Sequence, residues 1–178
     1  MFTINNCIIS SANILNYREE SNMRERTDKE REALGRVEAI FRQLGTNKDG
    51  GGYAPLLDCI IYAYAFPNEP LTEVVEELSK ENYYLGIRLA EKTDATKIEK
   101  IYSEMVHTIK SAIDCPDLKY LSSLGLDGMK VILQGKRGDE LEAALLTEIG
   151  EEYHQYSNDE KIVLFFIKRI LKAVKNGT

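Results

Sequence analysis

From Thr27 onward the apolar residues of this chain recur at spacings of three and four, and two of the segments so formed open on capping boxes. In Thr27-Asp28-Lys29-Glu30, and again in Ser157-Asn158-Asp159-Glu160, a hydroxyl residue stands three places before a glutamate. The hydroxyl accepts from the glutamate's backbone N–H and the carboxylate accepts from the hydroxyl residue's own N–H, so each helix start is specified locally. The first segment carries Leu34, Val37, Ile40, Phe41 and Leu44 and stops at Gly45, which suits a left-handed cap. The second carries Ile162, Val163, Leu164, Phe165, Phe166, Ile167, Ile170, Leu171 and Val174. A chain patterned this way buries its apolar stripes by packing helix on helix, and the predicted class is all-α.

The stretches between follow the same logic. Thr46 to Gly52 is a polar loop ending in Gly50-Gly51-Gly52. It lacks the Lys-Ser/Thr ending of a phosphate cradle and reads as a flexible loop. Pro55 suits the first turn of the next helix, and Leu56, Leu57, Cys59, Ile60 and Ile61 make that helix apolar nearly all round, hence central and buried. Phe66-Pro67-Asn68-Glu69-Pro70 breaks it, and Leu71, Val74, Val75 and Leu78 give one more short amphipathic helix. Past Asp114-Cys115-Pro116, Leu118, Leu121 and Leu124 suggest a short helical segment. Gly135-Lys136-Arg137-Gly138 reads as a basic, flexible loop, and Leu141, Ala144, Leu145 and Ile149 form another helix. No repeat of 20 to 50 residues is visible. The expected organisation is an arm over residues 1–26, docked or disordered, a domain over 27–151, and an additional C-terminal helix within 152–178.

Composition narrows the function. The 178 residues suffice for one domain with a real core; 43% are hydrophobic and 29% charged, an ordinary balance for a soluble globular protein. The formal net charge of -6 argues against a basic, non-specific nucleic-acid coat, yet a local basic face can coexist with an acidic whole. Cys7, Cys59 and Cys115 are odd in number and lack metal-ligand spacing, which fits reduced thiols in a cytoplasmic protein. Neither a signal peptide nor a membrane-spanning helix is recognisable. No catalytic triad, metal set or carboxylate pair stands out, so the chain reads as a non-enzyme without a cofactor. His154 has no paired acid or nucleophile, and Arg137-Gly138-Asp139 is a chance string.

The segment Tyr84–Ile113 carries the functional signal. A short helix, Tyr84 to Glu91, is followed by the turn Lys92-Thr93-Asp94 and a longer helix from Ala95 to Ile113, the layout of a helix-turn-helix. Ile87, Ile98 and Ile101 sit where the two helices must pack, while Thr96, Lys97, Lys100 and Ser103 fall on the face where a recognition helix reads DNA. The bland reading is a solvated face of mixed charge. His107, one turn beyond Ser103, is in reach of DNA on the same reading, but a partly buried surface histidine is the favoured expectation.

The order of these landmarks resembles the C-terminal effector domain of stage zero sporulation protein A, the sporulation-initiation response regulator. The likeness runs from about Arg36 to about Glu151. It rests on Leu44-Gly45, Gly52-Tyr53, Leu56, Ile60, Tyr84, Ile87, Thr93, Ala95, Ile98, Glu99 and the run Leu121-Ser122-Ser123-Leu124-Gly125. The resemblance implies a six-helix domain whose helix from Ala95 enters the major groove of double-stranded DNA. Base and phosphate contacts then carry over to Thr96, where the family has Ser, to Lys97 and Lys100, where it has Arg, to the matching Glu99, to Ser103, and to Lys136 in the basic loop. The departures weaken such contacts. Lysine loses the bidentate guanine recognition of arginine, and Glu104 is expected to repel phosphate. Arg88 replaces a small residue of the motif's first helix. About 35 residues precede the likeness, too few for the family's receiver, so no switch by phosphorylation in cis is expected. The helix after Ser157 is extra to the family's domain; it can close the chain's own core, the favoured expectation, or pair with a second copy as a homodimer, and a membrane-surface role ranks last. The expected function is a DNA-binding transcriptional regulator. The alternative is a protein-interaction module on the same fold that modulates a related regulator.

Overall fold

The computed structural model describes residues 26–70 and 95–177, and only the main chain of residues 95–98. All regular structure among them is helical. The α-helices are α1 (Asp28–Gln43), α2 (Tyr53–Ala65), α3 (Ala95–Ile113), α4 (Leu118–Ser123), α5 (Asp127–Gly135), α6 (Gly138–Ile149) and α7 (Asn158–Asn176), with a 3-10 turn at Glu151–Tyr153. The all-α class is therefore observed. The arm, the amphipathic segment from Leu71, and the first helix and turn of the expected helix-turn-helix lie outside the described residues; its second helix is α3.

Both capping boxes form as the sequence predicts. Thr27 N–H donates to Glu30 Oε2 at 2.6 Å and Glu30 N–H to Thr27 Oγ1 at 3.3 Å. The corresponding distances at Ser157 and Glu160 are 3.0 and 3.2 Å. At the far end of α1, Gly45 takes φ +71°, with Gly45 N–H on Arg42 O and Thr46 N–H on Phe41 O. This is the double closure of a Schellman cap, which a side chain at this φ would strain.

Among the described residues helix α7 is central rather than an appendage. Its residues Lys161 to Ile167 are all buried, and it touches α1, α2, α3 and α6. Seven consecutive buried residues leave no solvent-exposed face in these turns, so the helix needs neighbours on every side. Phe41 of α1 lies 6.2 Å from Phe166 of α7, and 5.4 Å, edge to face, from Tyr53 of α2. Helix α7 thus packs within its own chain. Its C-terminal carbonyl at Val174 accepts from Arg36 of α1 at 3.1 Å. Helix α2 is buried along Pro55–Ala63, as its apolar run predicts.

Three details differ from the sequence reading. Helix α5 is absent from that reading, although Met129, Ile132 and Leu133 have helical spacing and are buried. The basic segment after it is a tight two-residue link rather than a flexible loop: Lys136 is half-buried, and Arg137 folds back to donate to Leu133 O and Lys136 O at 3.1 and 2.8 Å. The glycine run is likewise a formed turn, with Gly50 N–H on Asn47 O at 3.3 Å and Tyr53 N–H on Gly50 O at 3.1 Å. Its purpose is close approach. A Cβ built on Gly52 would collide with the Glu104 carbonyl, and one on Gly51 would lie 2.5 Å from Glu104 Oε2.

Candidate nucleic-acid interface

Helix α3 presents one face to the core and one to solvent. Ile101, Tyr102, Met105, Val106, Ile109 and Ala112 are buried, whereas Glu99, Lys100, Ser103, His107, Lys110 and Ser111 are exposed. Positions 100, 103, 107 and 110 follow the three-and-four rhythm and form a single stripe. His107 is exposed, not partly buried as expected, because it falls on this stripe. Thr96 and Lys97 lie on the first turn of α3 by their main chain; their side chains are outside the described residues.

Glu104 does not join the stripe. Its side chain turns toward the glycine turn, where Oε2 is buried with no hydrogen-bond partner among the described residues. The expected repulsion between this carboxylate and phosphate therefore loses its geometric basis. The arrangement has its own cost, since a buried acceptor left unpaired forfeits about 1–3 kcal/mol. His107, Ser103 and Thr108 line the same small cavity, about 300 Å³, with Gly50 and Gly51 on its other wall.

Toward the N-terminal end of α3, Glu99, Lys100 and Ser103 share a groove of about 450 Å³ with Tyr102, Ser157, Asp159 and Glu160. Three carboxylate residues and one lysine thus border the same groove. The start of α7 forms one wall, and a helix N-terminus can take a phosphate. At α7 this capacity is already used by its own capping box and by Asp159 and Glu160 in the first turn.

Lys136 is not brought to this patch. Gln134, two residues before it, donates to Asp114 at 3.1 Å, which places the end of α5 beside the C-terminal end of α3. Lys100 lies roughly 20 Å away along the helix axis. Lys110 is the exposed lysine nearer to that end, and the stripe's spacing was sufficient to find it.

No family model matches the chain, and no curated protein or solved structure matches it.

Two charged groups escaped the sequence reading because they sit in apolar surroundings. Asp58, on the buried helix α2, pairs with Arg26 at 2.9 Å. Burial pushes its carboxyl up to about 7; the Arg26 charge opposes this rise and Glu30 adds to it. Lys161, 1% exposed, reaches Glu142 of α6 at 2.7 Å. Neither lies on the α3 stripe. Cys59 and Cys115 are buried free thiols, and burial raises the Cys59 thiol far above its ordinary range. Among the described residues no three His, Cys, Asp or Glu side chains gather as a metal cage, and no helix is long and apolar enough to cross a membrane.

Proposed function

We propose that this chain is a DNA-binding transcriptional regulator of the helix-turn-helix kind, related in design to the sporulation-initiation effector domain, with α3 as its recognition helix. The observation that carries the reading is the exposed stripe of Lys100, Ser103, His107 and Lys110 on a 19-residue helix whose other face is locked in the core. A rigid helix with a polar, cationic edge is what the major groove admits. The turn of Glu104 away from the stripe supports it further. Thr96, Lys97 and Lys100 are the proposed base and phosphate contacts, with Ser103 and His107 following along the groove. Lys136 serves at most a separate stretch of backbone. With so few cations, a homodimer on a two-fold site supplies the affinity that one copy lacks. The reading assigns no catalytic chemistry and places the protein in the cytoplasm.

A second reading has its own support. Asp159 and Glu160 stand beside Lys100 and Ser103, and carboxylates there favour a protein partner over a phosphate backbone. On this reading the fold acts as an interaction module toward a related regulator. Fluorescence anisotropy of the full chain against labelled genomic fragments at low salt separates the two. Saturable binding supports the DNA reading. No binding overturns it and leaves the interaction module.

A further inference from the structure

We propose that the corner formed by α4 and α5 pairs with the same corner of a second copy of this chain, making a two-fold homodimer. Hydrogen bonds at both ends hold the two short helices side by side. Gln134, near the end of α5, donates to Asp114 ahead of α4 at 3.1 Å. Ser122, near the end of α4, donates to Asp127 at the start of α5 at 3.4 Å. The helices therefore run in opposite directions, and Leu118 stands across from Val131, midway between the two ties. These are the two large apolar side chains left exposed among the described residues, at 63% and 68%. A single exposed apolar residue is ordinary, but two side by side on a fixed corner mark a contact surface.

The charges around the two residues select a second copy as the occupant. Asp117 and Lys119 flank Leu118, while Asp127 and Lys130 precede Val131 on its own helix by four residues and one. A two-fold axis at the corner sets Leu118 against the partner's Val131. The same rotation brings Lys119 to the partner's Asp127 and Asp117 to the partner's Lys130. Each contact then occurs twice, as an isologous interface requires. Neither lysine has an ion pair in its own chain among the described residues. Two charges of each sign fix the register of a self-pairing and give no net pull on a phosphate backbone or an anionic headgroup. The corner lies at the C-terminal end of α3, so pairing leaves Lys100, at the other end, uncovered. Pairing here supplies the second copy that the DNA reading calls for; it is measured without duplex, so either can fail and leave the other standing.

Sedimentation velocity of the full, tag-free chain over about 1–500 µM tests the pairing. The expected result is a reversible monomer–dimer equilibrium with a micromolar dissociation constant, as a small interface gives. Leu118→Ser and Val131→Ser change exposed positions and leave the core untouched; each should weaken the dimer at least about tenfold. Lys119→Asp sets like charges together and should weaken it as well. Adding Asp127→Lys reverses both partners and should restore it, with circular dichroism confirming that the charge variants are folded. A chain that stays monomeric up to about 500 µM overturns the proposal. So does a dimer that survives Leu118→Ser and Val131→Ser, which puts the interface elsewhere, or a folded charge-swap variant that pairs no better than Lys119→Asp alone.

Discussion

Gly52 meets the main chain of Glu104 so closely that a single added carbon would overlap the Glu104 carbonyl. The start of α2 thereby rests on the middle of α3, and the glycine is a packing requirement of the α2–α3 crossing. Gly52→Ala should force the two helices apart and cost about 1–3 kcal/mol or more. Gly35→Ala is the matched control: it is exposed within α1, with nothing within 4 Å of the new carbon. That change should stabilise by roughly 0.5–1 kcal/mol. Urea denaturation of both variants checks the pair, and a neutral Gly52→Ala would mean that α2 does not lie on α3.

Asp58 sets a pH dependence whose sign follows from its burial. Folding raises its carboxyl from an ordinary 3.8 to about 7. Between these values the folded state holds a proton that the unfolded chain has released. Its contribution to stability is thus full below about pH 4 and declines until about pH 7, by up to ~1.4 kcal/mol per pH unit. Asp58→Asn removes the titration. The stability difference between variant and wild type should move in the variant's favour from pH 4 to 7 and level off above. A difference independent of pH would show that Arg26 keeps Asp58 ionised throughout.

Lys161 is buried against Glu142, whose side chain is 42% exposed. Such a pair is held by geometry more than it stabilises. Lys161→Met, similar in volume and apolar, should fold with unchanged or higher stability. Lys161→Ala leaves a cavity and should cost about 2–4 kcal/mol. Thermal melts rank the two, and equal losses would contradict the account.

Removing residues 157–178 takes away the helix that α1, α2, α3 and α6 share. Each large apolar side chain buried there contributes on the order of 1.5–3 kcal/mol as an upper bound. The truncated chain should lose its cooperative melt and aggregate. A truncation that melts like the full chain would refute the central place of α7.

What the sequence disclosed, and what it hid, divides along physical lines. Caps are local, so Thr27, Gly45 and Ser157 were legible from a few residues each. The apolar face of α3 was legible by period. The role of α7 was half legible. Its apolar surplus demanded burial, but the helices surrounding it are set by tertiary packing. Helix α5 was hidden by shortness and by the glycines at Gly128 and Gly135, although Met129, Ile132 and Leu133 carried the period. The burial of Asp58 and Lys161 was hidden because each depends on a partner distant in sequence. The direction of Glu104 was hidden for the same reason: the turn that receives it lies more than fifty residues away. Of the candidate site, the chain order predicted the Lys100–Ser103 edge. It could not predict that Asp159 and Glu160 would stand beside it, or that Lys136 would fall at the other end.

The salt dependence of DNA binding tests the central claim most directly. Each lysine–phosphate contact releases counterions and steepens the fall of log K with log salt by about 0.9. Replacing Lys97 and Lys100 together by alanine should weaken binding by roughly 1–3 kcal/mol and make the slope shallower by about 1–2. Asp159→Lys, at the groove that Lys100 lines, should shift affinity the other way. An anisotropy titration at several salt concentrations reads all three proteins. If the wild type binds no duplex at low salt, or if the double variant keeps both its affinity and its slope, then α3 is not a DNA-reading helix.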